Sequence, residues 1–139
     1  MADYWGHWIN IGKKAGVKLP KIFYVNWFRK NDDGKFIWPG FGENSRILKW
    51  IFERCNGSGK AVETPIGNLP AIDSLYLEGL KLSEHEISQL LRVEIDGWLA
   101  EIPLIQAYYE SYSGRTPIEL LDELAQLKER LEAARSEAA

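Results

Sequence analysis

The sequence predicts a helix-rich α+β fold, in which a small antiparallel hairpin at about residues 21–38 packs with about five helices. Two observations carry this prediction. Residues 21–28 form a run rich in aromatic and β-branched side chains, which is typical of a strand. Much of the remaining chain consists of stretches in which apolar residues recur at helical spacing.

The hairpin is predicted from the turn that separates two short apolar runs. The tetrapeptide NDDG at residues 31–34 has strong turn chemistry, because Asn, Asp and Gly each favour reversal of the chain. The run KFIW at residues 35–38 supplies the second strand. The following PGFG at residues 39–42 cannot continue a strand, so we expect a tight loop there.

The five helices are predicted from apolar periodicity and from their end signals. The last helix has an explicit start, with Thr116 as N-cap, Pro117 at the first helical position and Glu119 completing a capping box. Pro103 is expected to kink the fourth helix or delay its start. Residues 57–80 contain several Gly and Pro and no clear period, which predicts a mostly irregular connection. The expected helices span about residues 4–15, 45–55, 83–92, 95–112 and 116–136.

Charge and aromatic residues are distributed unevenly along the 139 residues. Residues 1–60 hold 11 basic and 5 acidic side chains, whereas residues 61–139 hold 6 basic and 15 acidic ones. Residues 1–52 contain 12 of the 17 aromatic side chains. The net charge of −3 argues against a duplex nucleic acid partner, which usually requires a basic face. The basic front could still attract a small anion.

Composition and end signals exclude several other classes of protein. No stretch approaches 18 consecutive apolar residues, so we expect no membrane span. The first residues lack the layout of a signal peptide. Cys55 is the only cysteine, so it can form neither an internal disulfide nor part of a thiolate metal cluster. These features favour the cytoplasm.

One segment resembles a phosphate-binding loop and fails in its details. The run NGSGKA at residues 56–61 has Ala61 where a magnesium-binding hydroxyl belongs and Arg54 where the leading glycine belongs. It also follows a predicted helix instead of a strand. We interpret it as a turn. His7 and His85 have no partners at a recognised metal-ligand spacing, and no nucleophile motif is visible.

The hairpin and the PGFG loop should bring three phenylalanines together. Two flat rings about 7 Å apart can hold a planar ligand between them. Gly40 and Gly42 would let the backbone approach the edge of such a ligand. The alternative is that Phe28, Phe36 and Phe41 pack as core against the helix at 45–55. Composition alone favours this alternative.

The motifs that carry these residues resemble a known family. The stretch PKIFYVNWFRKNDDGKFIWPGFGENSRILKWIF at residues 20–52 is similar to the guanine-nucleotide region of GTP-dependent phosphoenolpyruvate carboxykinases. ADYWGHW at residues 2–8 and TPIGNLP at residues 64–70 resemble the same C-terminal region. The resemblance is specific over residues 2–70, and beyond them only the layout of helices matches.

The resemblance implies a place for this chain within a larger two-lobed α/β domain. Residues 1–139 would be one C-terminal segment of the nucleotide-binding domain. It would comprise an aromatic guanine-site portion at 1–56, the irregular connection at 57–80 and a helical portion at 81–139.

The family converts oxaloacetate and GTP into phosphoenolpyruvate, carbon dioxide and GDP, a step of gluconeogenesis that uses Mn²⁺ or Mg²⁺. The resemblance implies that Phe28 and Phe41 stack on guanine and that Phe36 lines the pocket. Asn44 and the backbone around it would face the edge of the base. A site built for the hydrogen bonds of guanine leaves groups unpaired with adenine.

The resemblance also implies that much of the enzyme is missing. The family's P-loop, its metal ligands and its oxaloacetate-binding arginines precede this region and have no match here. We therefore expect a fragment with no catalytic or metal-binding residues and no activity of its own. The parent would be a cytoplasmic monomer that binds oxaloacetate or phosphoenolpyruvate through its N-terminal part.

Two other functions remain open from the sequence. The chain could be a non-catalytic interaction module, with acidic helices that pack on a partner and an aromatic N-terminal half that forms structural core. It could also bind single-stranded nucleic acid through the same basic and aromatic residues. The basic residues are not strung along one strand or helix, which disfavours this last function.

Overall fold

The computed structural model describes residues 1–14 and 16–137, and it confirms the helix-rich α+β class. Residue 15, the last of the first expected helix, and residues 138–139 of the helical portion lie outside the described residues. The described part contains five α-helices and one two-stranded antiparallel sheet. The helices are α1 Ala2–Gly12, α2 Asn44–Cys55, α3 Glu84–Leu91, α4 Ile95–Glu110 and α5 Ile118–Glu137, and the strands are β1 Ala61–Thr64 and β2 Gly67–Pro70.

The chain divides into two compact units. The first, here called the helical unit, combines Met1–Pro20 with Glu94–Ala139. The second, here called the aromatic unit, is Lys21–Val93. Each unit has buried apolar side chains of its own, and each is described separately below.

The helical unit is built on the packing of α4 against α5. Leu131 of α5 is fully buried, and Ile102 of α4 is also buried. Trp5 of α1 packs edge-on against the aromatic side chains at the end of α4, with its ring centroid 5.8 Å from that of Tyr109. Aromatic edge contacts of this kind stabilise a pair beyond its buried area. They attach α1 to this unit.

The start of α5 differs from its predicted capping box. The Thr116 hydroxyl donates to the carbonyl of Tyr109 at 2.8 Å, and Lys13 donates to the carboxylate of Glu119. This ion pair holds the pKa of Glu119 below its usual range. Pro103 lies inside α4, whose start at Ile95 is not delayed.

The aromatic unit packs around one face of α2. Trp50 is 5% exposed, and its ring meets the ring of Phe23 at 5.9 Å in an edge-to-face contact. The Trp50 indole also donates to the carbonyl of Lys60 at 2.9 Å. Ile37 and Trp38 are the other buried large side chains in the segment that precedes α2. These contacts anchor α2 and the loop before it.

The predicted hairpin at residues 21–38 is wrong in position. Between these residues the structure has a tight turn and one isolated antiparallel bridge, Lys30 with Phe36. The Asn31 side chain accepts hydrogen bonds from two backbone N–H groups within the turn, as its turn chemistry predicts. Residues 22–30 alternate in exposure as a strand does, but none of the described residues forms a ladder with residues 21–28. Aromatic and β-branched residues favour a strand only where a neighbouring strand exists.

The two-stranded hairpin instead lies within residues 57–80, which were predicted to be an irregular connection. Its register pairs Ala61 with Pro70 and Thr64 with Gly67. The Thr64 hydroxyl donates to the carbonyl of Gly67 at 2.6 Å, which closes the turn. Gly67 has a φ of 121°, a conformation that favours glycine. Strands of four residues that contain Gly and Pro show little alternation of apolar and polar side chains, so the sequence pattern did not predict them.

The start of α3 has a complete capping box. The hydroxyl of Ser83 accepts from the backbone N–H of Glu86, and the Glu86 carboxylate accepts from the backbone N–H and the hydroxyl of Ser83. The hydrogen bond from the Ser83 backbone, followed by that from its hydroxyl, lowers the pKa of Glu86 below its ordinary value of 4.5. The folded state therefore favours ionised Glu86 more than the unfolded state does.

This capping box should make part of the folding stability dependent on pH. Because the folded pKa is lowered, the contribution of Glu86 is present above pH 4.5 and is lost as the pH falls through the lowered pKa. We expect Glu86→Gln to destabilise the chain at pH 7, and the difference from the native chain to shrink toward pH 3. Urea unfolding at several pH values measures this. Glu84→Gln is the control, because it removes the same charge from the first turn without touching Ser83. A difference that is independent of pH would contradict the prediction.

Candidate functional site

A cavity of about 760 Å³ in the aromatic unit collects all four residues predicted from the sequence. Phe28 precedes the turn at residues 31–34, and Phe36 follows it. Phe41 stands on a short 3₁₀ turn, and Asn44 is the first residue of α2. The cavity is also lined by Trp27, Gly34, Lys35, Trp38, Pro39 and Gly40.

The three phenylalanines of the cavity are open to solvent. Phe28, Phe36 and Phe41 are 70%, 58% and 91% exposed. Phe28 and Phe36 meet edge to face, with centroids 5.8 Å apart and an angle of 66° between their planes. Phe36 therefore braces Phe28. Three exposed rings around one cavity are unusual for core residues and typical of a binding surface.

The loop at residues 39–42 presents Phe41 to the cavity. Gly40 has a φ of 120° and a ψ of −168°, a backbone conformation that side-chain-bearing residues rarely adopt. The carbonyl of Gly40 accepts from the N–H of Glu43 at 3.1 Å, so a helical turn begins at once. This reversal at Gly40 places the ring of Phe41 and the side chain of Asn44 on the same cavity.

Asn44 is held by a hydrogen bond from a neighbouring aromatic residue. The Trp38 indole Nε1 donates to Asn44 Oδ1 at 2.8 Å. Trp38 is 9% exposed and packs on Trp27, with ring centroids 6.0 Å apart. Because the indole can only donate, it takes the amide oxygen and leaves the NH₂ group of Asn44 available.

Two basic side chains lie at the cavity. Lys35 lines it, and the ammonium of Lys30 lies 5.2 Å from the centroid of the Phe36 ring. The nearby carboxylate of Glu43 is paired with Arg46, so its charge is balanced. Lys35 is the one ionisable side chain among the described residues that line the cavity. The arrangement suits the binding of a planar, anionic ligand.

Trp27 and Lys35 line the cavity but were not among the predicted site residues. Each is the chain neighbour of a predicted phenylalanine, Phe28 or Phe36. Their adjacency was the available signal. The neighbour of a site residue lines the cavity only when the backbone directs both side chains toward it. The backbone path of residues 29–37 decides this, and the sequence does not reveal that path.

The run at residues 56–61, which resembles a phosphate-binding loop, is hydrogen-bonded to the end of α2. The backbone N–H groups of Ser58 and Gly59 both donate to the carbonyl of Glu53, at 2.9 and 3.1 Å. Lys60 pairs with Asp73. Since these groups are directed to protein partners, they do not form an open phosphate cradle, which confirms the interpretation as a turn.

The described residues contain neither a metal-ligand cluster nor a helix that could span a membrane. Residues 1–14 and 16–137 contain no group of three or more His, Cys, Asp or Glu side chains that could hold a metal ion. Among the helices of that same part of the chain, none has the length and apolarity needed to cross a membrane.

The sequence of the chain is similar to that of known proteins. Residues 1–130 match the family model described as phosphoenolpyruvate carboxykinase C-terminal P-loop domain. Three relatives carry the name phosphoenolpyruvate carboxykinase [GTP]. The chain is 49% identical over 133 residues to that of Treponema pallidum (strain Nichols), 50% over 130 to that of Renibacterium salmoninarum, and 48% over 136 to that of Neocallimastix frontalis.

These matches cover 94%, 93% and 96% of this chain, and 22%, 21% and 22% of the respective relatives. The chain thus spans about a fifth of the length of these relatives. The match to the family model covers nearly the whole chain, as do the matches to the relatives. The chain therefore belongs to the GTP-dependent phosphoenolpyruvate carboxykinase family, within its C-terminal domain.

Proposed function

We propose that this chain is the guanine-binding segment of a GTP-dependent phosphoenolpyruvate carboxykinase. The observation that carries the proposal is the cavity that collects Phe28, Phe36, Phe41 and Asn44. Phe28 and Phe41 are the rings that stack on the base, Phe36 supports Phe28, and Asn44 contacts the edge of the base. Stacking on an aromatic ring contributes about 1–3 kcal/mol per base.

Basic residues support the binding of a nucleotide rather than a free base. Lys30 and Lys35 lie beside the aromatic cavity, and residues 1–60 carry an excess of basic side chains. Opposite charge raises the local concentration of a polyphosphate. The portion at residues 1–56 accordingly contributes the guanine site, and the portion at residues 81–139 contributes supporting helices. Both belong to one segment, residues 1–139, of the nucleotide-binding domain.

In this proposal, the complete reaction is carried out by a longer protein of which this chain is one segment. That protein converts oxaloacetate and GTP into phosphoenolpyruvate, carbon dioxide and GDP, as a cytoplasmic monomer in gluconeogenesis. The described residues do not fit a Mn²⁺ or Mg²⁺ ion, since they contain no suitable ligand cluster. In this proposal the metal ligands and the oxaloacetate contacts lie in the rest of the longer protein, and the isolated chain has no activity of its own.

Guanine specificity can be tested on the chain itself. We expect GDP to bind more tightly than ADP, because the NH₂ group of Asn44 can donate to an acceptor on guanine where adenine carries an amino group. Binding should be weak, since the described residues include no metal-ligand cluster and residues 56–61 form no phosphate-binding loop. Isothermal titration calorimetry with GDP, ADP and CDP measures the preference. Equal affinities for GDP and ADP, or tighter binding of ADP, would contradict the proposal.

The interaction module is the second candidate function. It requires the aromatic N-terminal half to be structural core, whereas the three cavity phenylalanines are more than half exposed. One observation favours it, because Ile22 and Tyr24 are large, exposed and two positions apart in the segment before the turn. Light scattering without nucleotide separates the two functions, since an independent module should be monodisperse and a segment of a larger domain should associate.

A further inference from the structure

The hydrogen bond from Trp38 to Asn44 has a consequence for base selection. An asparagine amide can usually rotate to exchange its oxygen and nitrogen, so that it presents either an acceptor or a donor. Here the indole Nε1 of Trp38 lies 2.8 Å from Asn44 Oδ1 and can only donate. The reversed amide would oppose two donors at this distance. One orientation is therefore strongly favoured.

The two purine bases differ at the edge that Asn44 would read. Guanine presents two acceptors there, O6 and N7, whereas adenine presents the N6 amino donor beside N7. A freely rotating asparagine suits adenine well, because its oxygen accepts from N6 while its nitrogen donates to N7. An asparagine whose oxygen already accepts from another group cannot accept from N6 in this way, and it offers the base only the donors of its NH₂ group.

We propose that Trp38 is a positioning residue that selects guanine over adenine by fixing the side-chain amide of Asn44. The inference rests on the proposed function and deepens it, since it assigns the preference to a residue that need not hydrogen-bond to the base. Asn44 presents its NH₂ group to the guanine acceptors. Adenine is rejected because its amino group meets a donor and the acceptor it needs is held by the indole.

The surroundings of Trp38 suit this role before any ligand arrives. Trp38 is 9% exposed, and it packs against Trp27. Its chain neighbour Ile37 is buried, and the Ile37 N–H donates to the carbonyl of Arg29 at 2.9 Å. Packing on Trp27 and the anchored backbone at Ile37 limit the movement of the indole, so that Asn44 is oriented in advance. Preorganised polar groups discriminate better because the wrong ligand cannot rearrange them.

The test compares Trp38→Phe with the native chain by titration of GDP and ADP. Phenylalanine keeps most of the buried ring and removes the indole donor. We expect the ratio of the ADP and GDP dissociation constants to fall by about 5-fold or more. In the native chain bound ADP leaves a polar group unpaired, whereas in Trp38→Phe the amide of Asn44 can rotate to pair with it, and one such group accounts for a change of this size. An unchanged ratio in a folded Trp38→Phe chain would overturn the inference.

Trp50→Phe is the matched control. It also removes one indole donor, which bonds the Lys60 carbonyl at 2.9 Å, and Trp50 does not line the cavity. Its ADP to GDP ratio should equal that of the native chain, and a fall as large as in Trp38→Phe would overturn the inference. If the native chain has no preference for GDP, the proposed function itself fails. The two failures are therefore distinguishable.

A second measurement needs no variant. The native chain is titrated with two nucleotides. Inosine diphosphate keeps the acceptors O6 and N7, whereas 2,6-diaminopurine riboside diphosphate carries an amino group at position 6. We expect the inosine nucleotide to bind at least 5-fold more tightly than the diaminopurine one. The Trp38 indole proton should remain protected from solvent exchange in NMR spectra when GDP is bound. The reverse order of affinity, or loss of this protection on binding, would overturn the inference.

Discussion

Replacing Phe41 with alanine should weaken the binding of GDP by this chain by about 5- to 150-fold. This range corresponds to the loss of about 1–3 kcal/mol, the contribution of one aromatic ring stacked on a base. The side chain of Phe41 is 91% exposed, so its removal leaves the packing of the free protein almost unchanged. Calorimetric titration of GDP measures the affinity, and thermal unfolding verifies that stability is retained.

The control for Phe41→Ala is Phe52→Ala. Phe52 is another exposed phenylalanine of the aromatic unit, at 69%, and it does not line the cavity. Its removal should leave GDP affinity unchanged. Phe28→Ala is a less specific test of stacking, because it removes the edge contact of Phe28 with Phe36 together with the stacking face. Unchanged GDP affinity in Phe41→Ala would show that this ring does not stack on the base.

The helices were predictable because their signals are local. Apolar residues at helical spacing placed all five helix starts within about two residues of those observed, and the cap residues lie in the same stretch of chain. The first helix ends at Gly12, earlier than expected, where Leu19 approaches the glycine closely. A β-carbon at Gly12 would lie 3.1 Å from the Leu19 side chain. The approach of Leu19 to this end is a contact outside the helix, which periodicity cannot reveal.

The strands were not predictable, because a strand is defined by its partner. Residues 21–28 have the composition and the alternating exposure of a strand but no ladder among the described residues. Residues 61–70 have neither signal and nevertheless pair, because the turn between Thr64 and Gly67 brings two short segments into register. Backbone hydrogen bonds and a glycine with positive φ therefore determined the hairpin, not side-chain pattern.

The candidate site was predicted through resemblance more than through composition. The residues alone favoured a buried hydrophobic hairpin, and the motif at residues 20–52 directed attention to Phe28, Phe36, Phe41 and Asn44. The structure brings these four residues to one cavity. The bond from Trp38 to Asn44 had no sequence signal, because it joins residues six positions apart across a loop whose course depends on Gly40.

Replacing Trp50 with alanine should have the largest effect on stability in the aromatic unit. We expect the free energy of unfolding to fall by about 3–5 kcal/mol, the usual cost of truncating a buried tryptophan. The substitution removes the edge contact with Phe23 and leaves the Lys60 carbonyl without its indole donor. A typical domain is stable by only about 5–15 kcal/mol, so much of the chain would unfold at moderate temperature. Urea unfolding measures the change.

Comparison within α2 separates this effect from a general sensitivity of the helix. Phe52→Ala removes a ring of similar size from an exposed position two residues away, and it should change the unfolding free energy by no more than about 0.5 kcal/mol. Because α2 begins at Asn44, Trp50→Ala should also lower GDP affinity although Trp50 does not line the cavity. Equal stability losses in the two variants would contradict the assignment of Trp50 as the anchor of α2. A large stability loss with unchanged GDP affinity would show that the cavity does not depend on that anchor.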